Sequence, residues 1–561
     1  MALQKAAYTL TLLVTLFPFF GIHAQDLGNI KKEKPFTAHG NFTAALTSYS
    51  SKGFNSTMKP FGYMVSGAVN ASIYGVQLPF NFFFSDQAQG IQQPFTQFGV
   101  APSWKWIKGY VGYSNMYFCP TVMWGKTFLG AGVELHPGRF RFGAMYGRLR
   151  KKQEEDELPQ GQLPAYQRVG YSVKIGMGTE SNFFDFVFMK ARDDSSSIRP
   201  LNIYSEQVAP EENAALGVNM KFTYKKKLVF TGDAAVSAFS RDTRSETIEI
   251  NSGNRQFLSQ VMKYTLTPRI SSEAFKALHG NLAYRDTRFS ISLDYRYVDP
   301  NYRAMGVDYL INDYSRIFLQ TGFRLFKNTL FIDLSGGVQK DNLTLFKAAT
   351  TVRNVYMANI SYTSPKLYGF SFSYTNFLTV QRIEKVLISD TTRVENVSEN
   401  LLFSPFYILN STNYTHTFTI VYNMLKVDDQ NAFTSYYADS RITNTAYSYS
   451  LYVTEHKLTL NPSLMFTKIS LATGKISSVG ITLSAGKILL EDKLNISAGN
   501  TYSINGKNSI GKGNTNNVFV NASYRIKQAH EVFFRTNIMI GKENNQTVSE
   551  FRGTFGYGYS F

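Results

Sequence analysis

The chain has 561 residues, with 35 Tyr, 46 Phe and 41 Gly but only 17 Pro, and 17 % of it is charged, below the roughly 25 % of average soluble domains. Aromatic strand-formers with little charge exclude disorder and point to an all-β protein with an apolar surface. The formal net charge of +18 would suit a nucleic-acid binder, but the basic residues form no arm or stripe, so nucleic acid is not an expected partner.

The first segment, MALQKAAYTLTLLVTLFPFFGIHAQ, carries Lys5, an apolar run from Ala6 to Phe20, and then GIHAQ. A charged start, an apolar stretch of this length and a final Ala predict a signal peptide over 1–24, cleaved after Ala24. A short periplasmic segment, 25–35, would follow. From Phe36 onward, period-two segments recur to the last residue. In 216–224, Leu216, Val218, Met220, Phe222 and Tyr224 alternate with Gly217, Asn219, Lys221 and Thr223. In 287–298, Phe289, Ile291, Leu293, Tyr295 and Tyr297 alternate with Arg288, Ser290, Ser292, Asp294 and Arg296. No stretch shows a convincing helical period.

Connections alternate between tight and loose. Tight ones fall at 136–138, 225–227, 285–287, 326–328, 364–366, 489–492 and 527–529. Longer polar stretches lie at 151–165, 193–212, 241–275, 299–311, 384–411, 504–514 and 541–549. Hairpins short at one end and long at the other are the rhythm of outer-membrane barrels, with short periplasmic turns and longer extracellular loops. The fold expected is therefore a large closed antiparallel transmembrane β-barrel of 24–26 strands over 36–561. The range reflects 431–470, where Pro462, which cannot donate to a ladder, interrupts a candidate strand. The broad aromatic face and the charged or small opposite face favour a lipid-facing wall over a soluble sandwich, since strands in lipid must close on themselves.

The closing stretch EFRGTFGYGYSF, with Tyr557, Tyr559 and Phe561 at alternate positions, resembles the C-terminal insertion signal of Gram-negative outer-membrane proteins. That resemblance implies recognition by the barrel-assembly machinery and integral residence in the outer membrane. The HAQ end of the signal segment resembles those of exported Bacteroidota proteins. The stretches QPFTQFGVAPSWKW (93–106) and GKTFLGAGVELHPGRFRFGAMYGRL (125–149) resemble a poorly characterised group of large Bacteroidota outer-membrane proteins. It implies location and fold, and no activity.

With the apolar stripe outward, the lumen would receive Arg288, Arg296, Arg316, Arg324, Arg353, Arg525, Arg535 and Arg552, with Asp185, Asp233, Asp294 and Asp333 among them. Such a wall predicts a basic lumen that favours anions. So large a barrel needs filling. The residues after 24 are too few for an N-terminal plug domain, so 241–275, the longest loop, or a partner lipoprotein is the expected plug.

The histidines are scattered and show no zinc spacing, and Cys119 stands alone, so neither metal nor cofactor is expected and Cys119 reads as a buried thiol. INGKNSIGKGN (504–514) lacks phosphate-loop spacing and reads as an outer loop. EEDE (154–157) beside RLRKK (148–152) reads as solvated charge at a loop base, the sharper alternative being lipopolysaccharide or a divalent ion at the rim. The function expected is a porin-like channel or transport conduit for polar or anionic solutes. The alternative is a scaffold or secretion component plugged by lipoproteins; an enzyme is the least favoured reading. Outer-membrane lipid and lipopolysaccharide are the surroundings expected.

Overall fold

The computed structural model describes residues 34–53, 59–86, 97–154, 163–199, 208–249, 257–384, 393–507, 512–543 and 546–561. The signal segment 1–24 lies outside them, as do most of 25–35, Glu155–Glu157 of the acidic run and 508–511 of the glycine-rich stretch. The strands join in one continuous sheet of 28 segments. Gln97–Val100 and Ser103–Trp104 are halves of one stave, and Gly306–Val307 lies inside the lumen, which leaves a closed antiparallel wall of 26 staves. Pro462 therefore costs no stave: it sits within Leu458–Leu471, paired with Leu483 on one side, while the ladder to Ser440–Val453 skips the Asn461 and Pro462 positions.

The wall closes where Phe36–Lys52 meets Gln546–Ser560, in register from Asn41 opposite Ser560 to Lys52 opposite Ser549. Gly40 and Phe561 finish the seam by exchanging backbone hydrogen bonds of 2.8 and 3.0 Å. Alternation puts Phe551, Phe555, Tyr557 and Tyr559 on the outer face and Arg552, Thr554 and Gly556 on the inner one. The outer face is apolar around the ring: Phe186, Leu483 and Phe555, on three distant staves, are all more than half exposed. An aromatic and aliphatic exterior of this extent is stable only against lipid.

Every tight connection foreseen from the sequence lies at the same end as both termini of the wall, where all turns span two to four residues. Several hold side chains in left-handed backbone, such as Lys225 and Lys226 (φ 48 and 58°) and Leu490, Glu491 and Asp492 (φ 54, 55 and 68°). That conformation matches the twist of the paired strands better than ordinary turns do. Three supposed loops are mostly strand. Glu395–Asn410 fills most of 384–411, while Leu494–Lys507 with Lys512–Lys527, and His530–Glu543 with Gln546–Ser560, cover most of 504–514 and 541–549. Their Asn, Ser and Lys residues look like loop because the staves, up to 17 residues long, outreach the roughly 9–11 residues needed to cross the hydrocarbon. The wall projects into water, where strands no longer need an apolar face.

The sequence also missed a helix, Phe257–Thr265. With Met262 and Leu266 it packs on Ala214, Ala238, Phe188 and Ala274, which all point outward from the wall. Lys190, also outward, donates from Nζ to the Thr265 carbonyl at 3.1 Å. The described part of the 241–275 stretch thus rests on the exterior rim and is not the plug.

The seam generates a direct test. Removing residues 557–561 leaves the ends of the first and twenty-fifth staves unpaired, and each unsatisfied backbone group in lipid costs several kcal/mol. The truncated chain is expected to lose about tenfold or more of its compact, heat-modifiable gel band after expression, while full-length protein keeps it.

Candidate functional site: a one-sided lumen

The lumen is filled by two segments of the wall's own chain. The tip of the hairpin formed by Ile107–Cys119 and Met123–Leu135 turns inward after register breaks at Asn115, Tyr117 and Cys119. The connection 299–313 descends beside it. Gly306 and Val307 run parallel to Met123–Gly125 as a two-residue internal strand. Together they bury Tyr302, Met305, Phe118, Val122 and Met123 against Val187, Met189, Ala215, Ala235, Ala277 and Val298, inward residues of staves far apart in sequence.

Polar contacts fix the packing. The Tyr302 hydroxyl donates to the Thr121 carbonyl at 2.7 Å. Burial holds that phenol's pKa well above its ordinary value, so it remains a donor. The Met305 N–H donates to Asn213 Oδ1 at 2.9 Å, and Ser237 Oγ donates to the Arg303 carbonyl at 2.5 Å. The wall is made of small residues where it receives this plug. At Gly217 an added Cβ would stand 2.6 Å from Val122 Cγ2.

On the loop side of the plug lies a cavity of about 360 Å³, bounded by Lys126, Arg150, Arg168, Arg303, Asp308 and Asn312. Arg168 Nε and Nη2 donate to Asp193 at 2.7 and 2.9 Å, Arg150 Nη2 to Asp193 at 2.9 Å, and Arg303 Nη1 to Glu211 at 2.7 Å. Lys126 pairs with Asp308. Four cations thus face three carboxylates, a modest positive excess.

The arginines singled out from sequence fall into two groups. Arg296 and Arg316 stand opposite each other on the inner face, and Arg316 donates to Asp294 at 2.8 Å. Asp294 also meets His279 Nε2 at 2.8 Å, and His279 Nδ1 meets Asp233 at 2.9 Å. Arg324 and Arg353 lie on the inner face further round, Arg353 donating to Thr379 Oγ1 at 3.3 Å. Arg288 is not on a stave; it belongs to the turn before Phe289–Val298. Beside the seam, Arg525 stands opposite Glu531, Arg535 lies over the Phe533 ring and Arg552 pairs with Glu550. Asp185, also inward, is held by Arg141 at 2.8 Å.

Between these groups, short of the loop-end rim where Asp429 stands opposite Asn396, the inner face carries no charge. Its positions in 371–381, 396–410, 415–427, 442–452, 459–471, 476–488 and 495–505 are Ser, Thr, Asn and Gln with a few apolar residues. Among the described residues, every fully buried apolar side chain from Tyr110 on belongs to the part of the chain ending at Phe318. Inward Met465 is 41 % exposed, so the other side of the lumen faces water. Sequence reasoning missed Lys126, Arg168, Arg303 and the plug, and it read RLRKK (148–152) as solvated charge, whereas Arg148 and Arg150 belong to the stave Phe140–Arg150 and Arg150 is held by buried Asp193. The one local signal was NYRAMGVDYL (301–310), too apolar for a solvated loop. Cys119 is buried, as expected of a free thiol. Among the described residues no cluster of metal-ligating side chains is gathered.

These features define the class: a closed transmembrane β-barrel with an internally packed lumen. No family model and no curated protein matches the chain. Among solved structures it is similar to the P pilus usher PapC translocation pore at 8 % identity, covering 93 % of this chain and 99 % of that one, with a TM-score of 0.37. It is also similar to Pseudomonas aeruginosa OccK8 (OprE) at 11 % identity, covering 61 % and 94 %, with a TM-score of 0.32. The FpvAI–pyocin S2 complex is similar at 10 % identity, covering 94 % and 74 %, with a TM-score of 0.36.

Gly217→Val forces bulk against Val122. The expected result is a loss of about 1–3 kcal/mol by thermal unfolding in detergent, the usual cost of overpacking a filled core. Val355→Thr, on the inner face away from the plug, is expected to leave the midpoint unchanged.

Proposed function

We propose that this barrel is an outer-membrane conduit for polar solutes, which pass along the uncharged side of a half-filled lumen. In this reading the short turns face the periplasm and the long connections face outside, and the chain arrives there by way of the signal segment and the assembly machinery. The observation that carries it is the asymmetry of the inner face: apolar packing on the staves up to Tyr314–Leu325, and hydroxyl and amide groups open to water on the staves from Tyr368–Ile383 to Leu494–Lys507. A lumen that only held a scaffold together would gain nothing from a hydrated half. Hydroxyl and amide groups exchange hydrogen bonds with polar solutes without trapping charge, and conduction needs weak binding of this kind.

The charge reading becomes narrower. Arg150, Arg168, Arg303, Arg316 and Arg552 are matched by carboxylates, which offsets part of the lumen's positive charge. The cavity of Lys126, Arg150, Arg168 and Arg303, with four cations to three carboxylates, adds a modest anion preference beside the open path. Neither a resident cofactor nor a catalytic residue is assigned.

Reconstitution in planar bilayers tests this. Discrete conductance steps are expected, with anion-to-cation permeability within about threefold of unity, as for a wall without an unbroken ring of charge. Replacing residues 303–310 by a short Gly/Ser linker is expected to raise conductance by roughly twofold, since the plug narrows the pore. A folded barrel that never conducts, and that co-purifies with a stoichiometric lipoprotein, would overturn the conduit and favour a partner-filled scaffold.

A further inference from the structure

The exterior carries a feature that passage through the lumen does not use. On the long-connection side of the apolar belt, three neighbouring staves, Ser440–Val453, Leu458–Leu471 and Gly474–Leu489, point Arg441, Lys468 and Lys475 outward. Register places Arg441 opposite Ser470, Lys468 opposite both Thr443 and Ser477, and Ser470 opposite Lys475. Cross-strand and diagonal neighbours on one face lie about 5–8 Å apart, so the three cations surround a patch of hydroxyls. They rim a shallow groove of about 520 Å³ whose lower edge is Phe466 and Val479. Lys426, opposite Arg441, pairs with Asp428 at 3.1 Å, and Arg441 Nη2 donates to Met424 Sδ at 3.2 Å.

Directly below, on the same outer face, lies a second groove of about 480 Å³ lined by Phe418, Ile420, Tyr447, Leu464 and Ile481, with Pro462 at its base. The Tyr447 and Phe466 rings meet edge to face, centroids 6.4 Å apart, at the junction of the two grooves. The ladder lapse at Pro462 lies at the base of this lower groove. A cationic, hydroxyl-lined upper recess continuous with an apolar lower one matches an amphiphile with a phosphorylated polar head and acyl chains. A single phosphodiester carries one negative charge; three cations with interleaved Ser and Thr hydroxyls suit phosphomonoesters, each near −1.5 to −2, on a sugar.

We propose that Arg441, Lys468 and Lys475 form a binding site for a phosphorylated glycolipid of the membrane leaflet at the long-connection end, its acyl chain lying in the Tyr447–Leu464–Ile481 groove. The site rests on the transmembrane reading but not on conduction. The test uses full-length barrel purified in mild detergent, delipidated and titrated with purified lipid A, bound lipid being counted by native mass spectrometry. The triple variant Arg441→Gln, Lys468→Gln, Lys475→Gln is expected to bind lipid A at least about tenfold more weakly, three charge-assisted contacts having been removed. Leu464→Trp, which fills the lower groove, is expected to weaken binding with the cations intact. Lys487→Gln, outward at the opposite rim, is expected to change nothing.

Equal binding by wild type and triple variant would overturn the site. So would wild type binding phosphatidylglycerol as tightly as lipid A, since any anionic lipid would then serve. Heat-modifiable migration of each variant separates these outcomes from failure to form a barrel, and conductance of the triple variant, expected to equal that of wild type, keeps the result independent of the transport reading.

Discussion

Closure of the backbone ladder is the constraint on which the rest of this structure depends. In hydrocarbon no water can satisfy a free N–H or C=O, so a sheet is tolerated only as a ring. The ring here is completed by the pairing of residues 41–52 with 549–560, ending in the reciprocal bonds of Gly40 and Phe561. Once it closes, the two faces of each stave are assigned: aromatic and aliphatic residues outward, and charged, hydroxyl and small residues inward. The even number of staves follows from the same closure.

A ring of this circumference then poses a second problem, because its centre is too wide for side chains to fill. The protein meets it on one side only. The hairpin tip around Val122 and the segment around Tyr302 form a small core inside the lumen, seated on Ala215, Gly217, Ala235 and Ala277. The opposite staves are left with an inner face of Ser, Thr and Asn. Packing here stiffens the wall and fills part of the lumen at once. The ion pairs of Arg168, Asp193, Glu211 and Arg303 tie the lumen segment to the wall near the loop end, where water can reach it.

Much of this was legible beforehand, for identifiable reasons. Alternation in 216–224 and 287–298 is a local property and survives into the fold, and the tight turns at 225–227 and 326–328 are marked by short polar breaks between alternating runs. The errors are also local in origin. Asn396, Ser398 and Asn400 made 395–410 look like loop, although they are the inward positions of a long stave. Pro462 suggested a lost stave, yet it is tolerated where one ladder lapses and the other continues. The helix Phe257–Thr265 escaped notice because its apolar face is short and meets outward alanines rather than a core.

The sequence alone determined the class of wall: alternating faces, turn rhythm and an aromatic exterior are encoded within ten or so neighbouring residues. Only the tertiary structure decided what stands inside it. Tyr302 bonds to Thr121, 181 residues away, and Met305 to Asn213, 92 residues away. The apolar cast of 301–310 says only that this connection packs somewhere; nothing near it tells a segment that enters the lumen from one that, like the stretch holding Phe257–Thr265, lies on the exterior rim. The balance of charge was hidden for the same reason. An arginine's parity reveals the face it occupies, but the carboxylate that matches it, as Glu211 matches Arg168 and Arg303, comes from a distant part of the chain that only closure of the ring brings near.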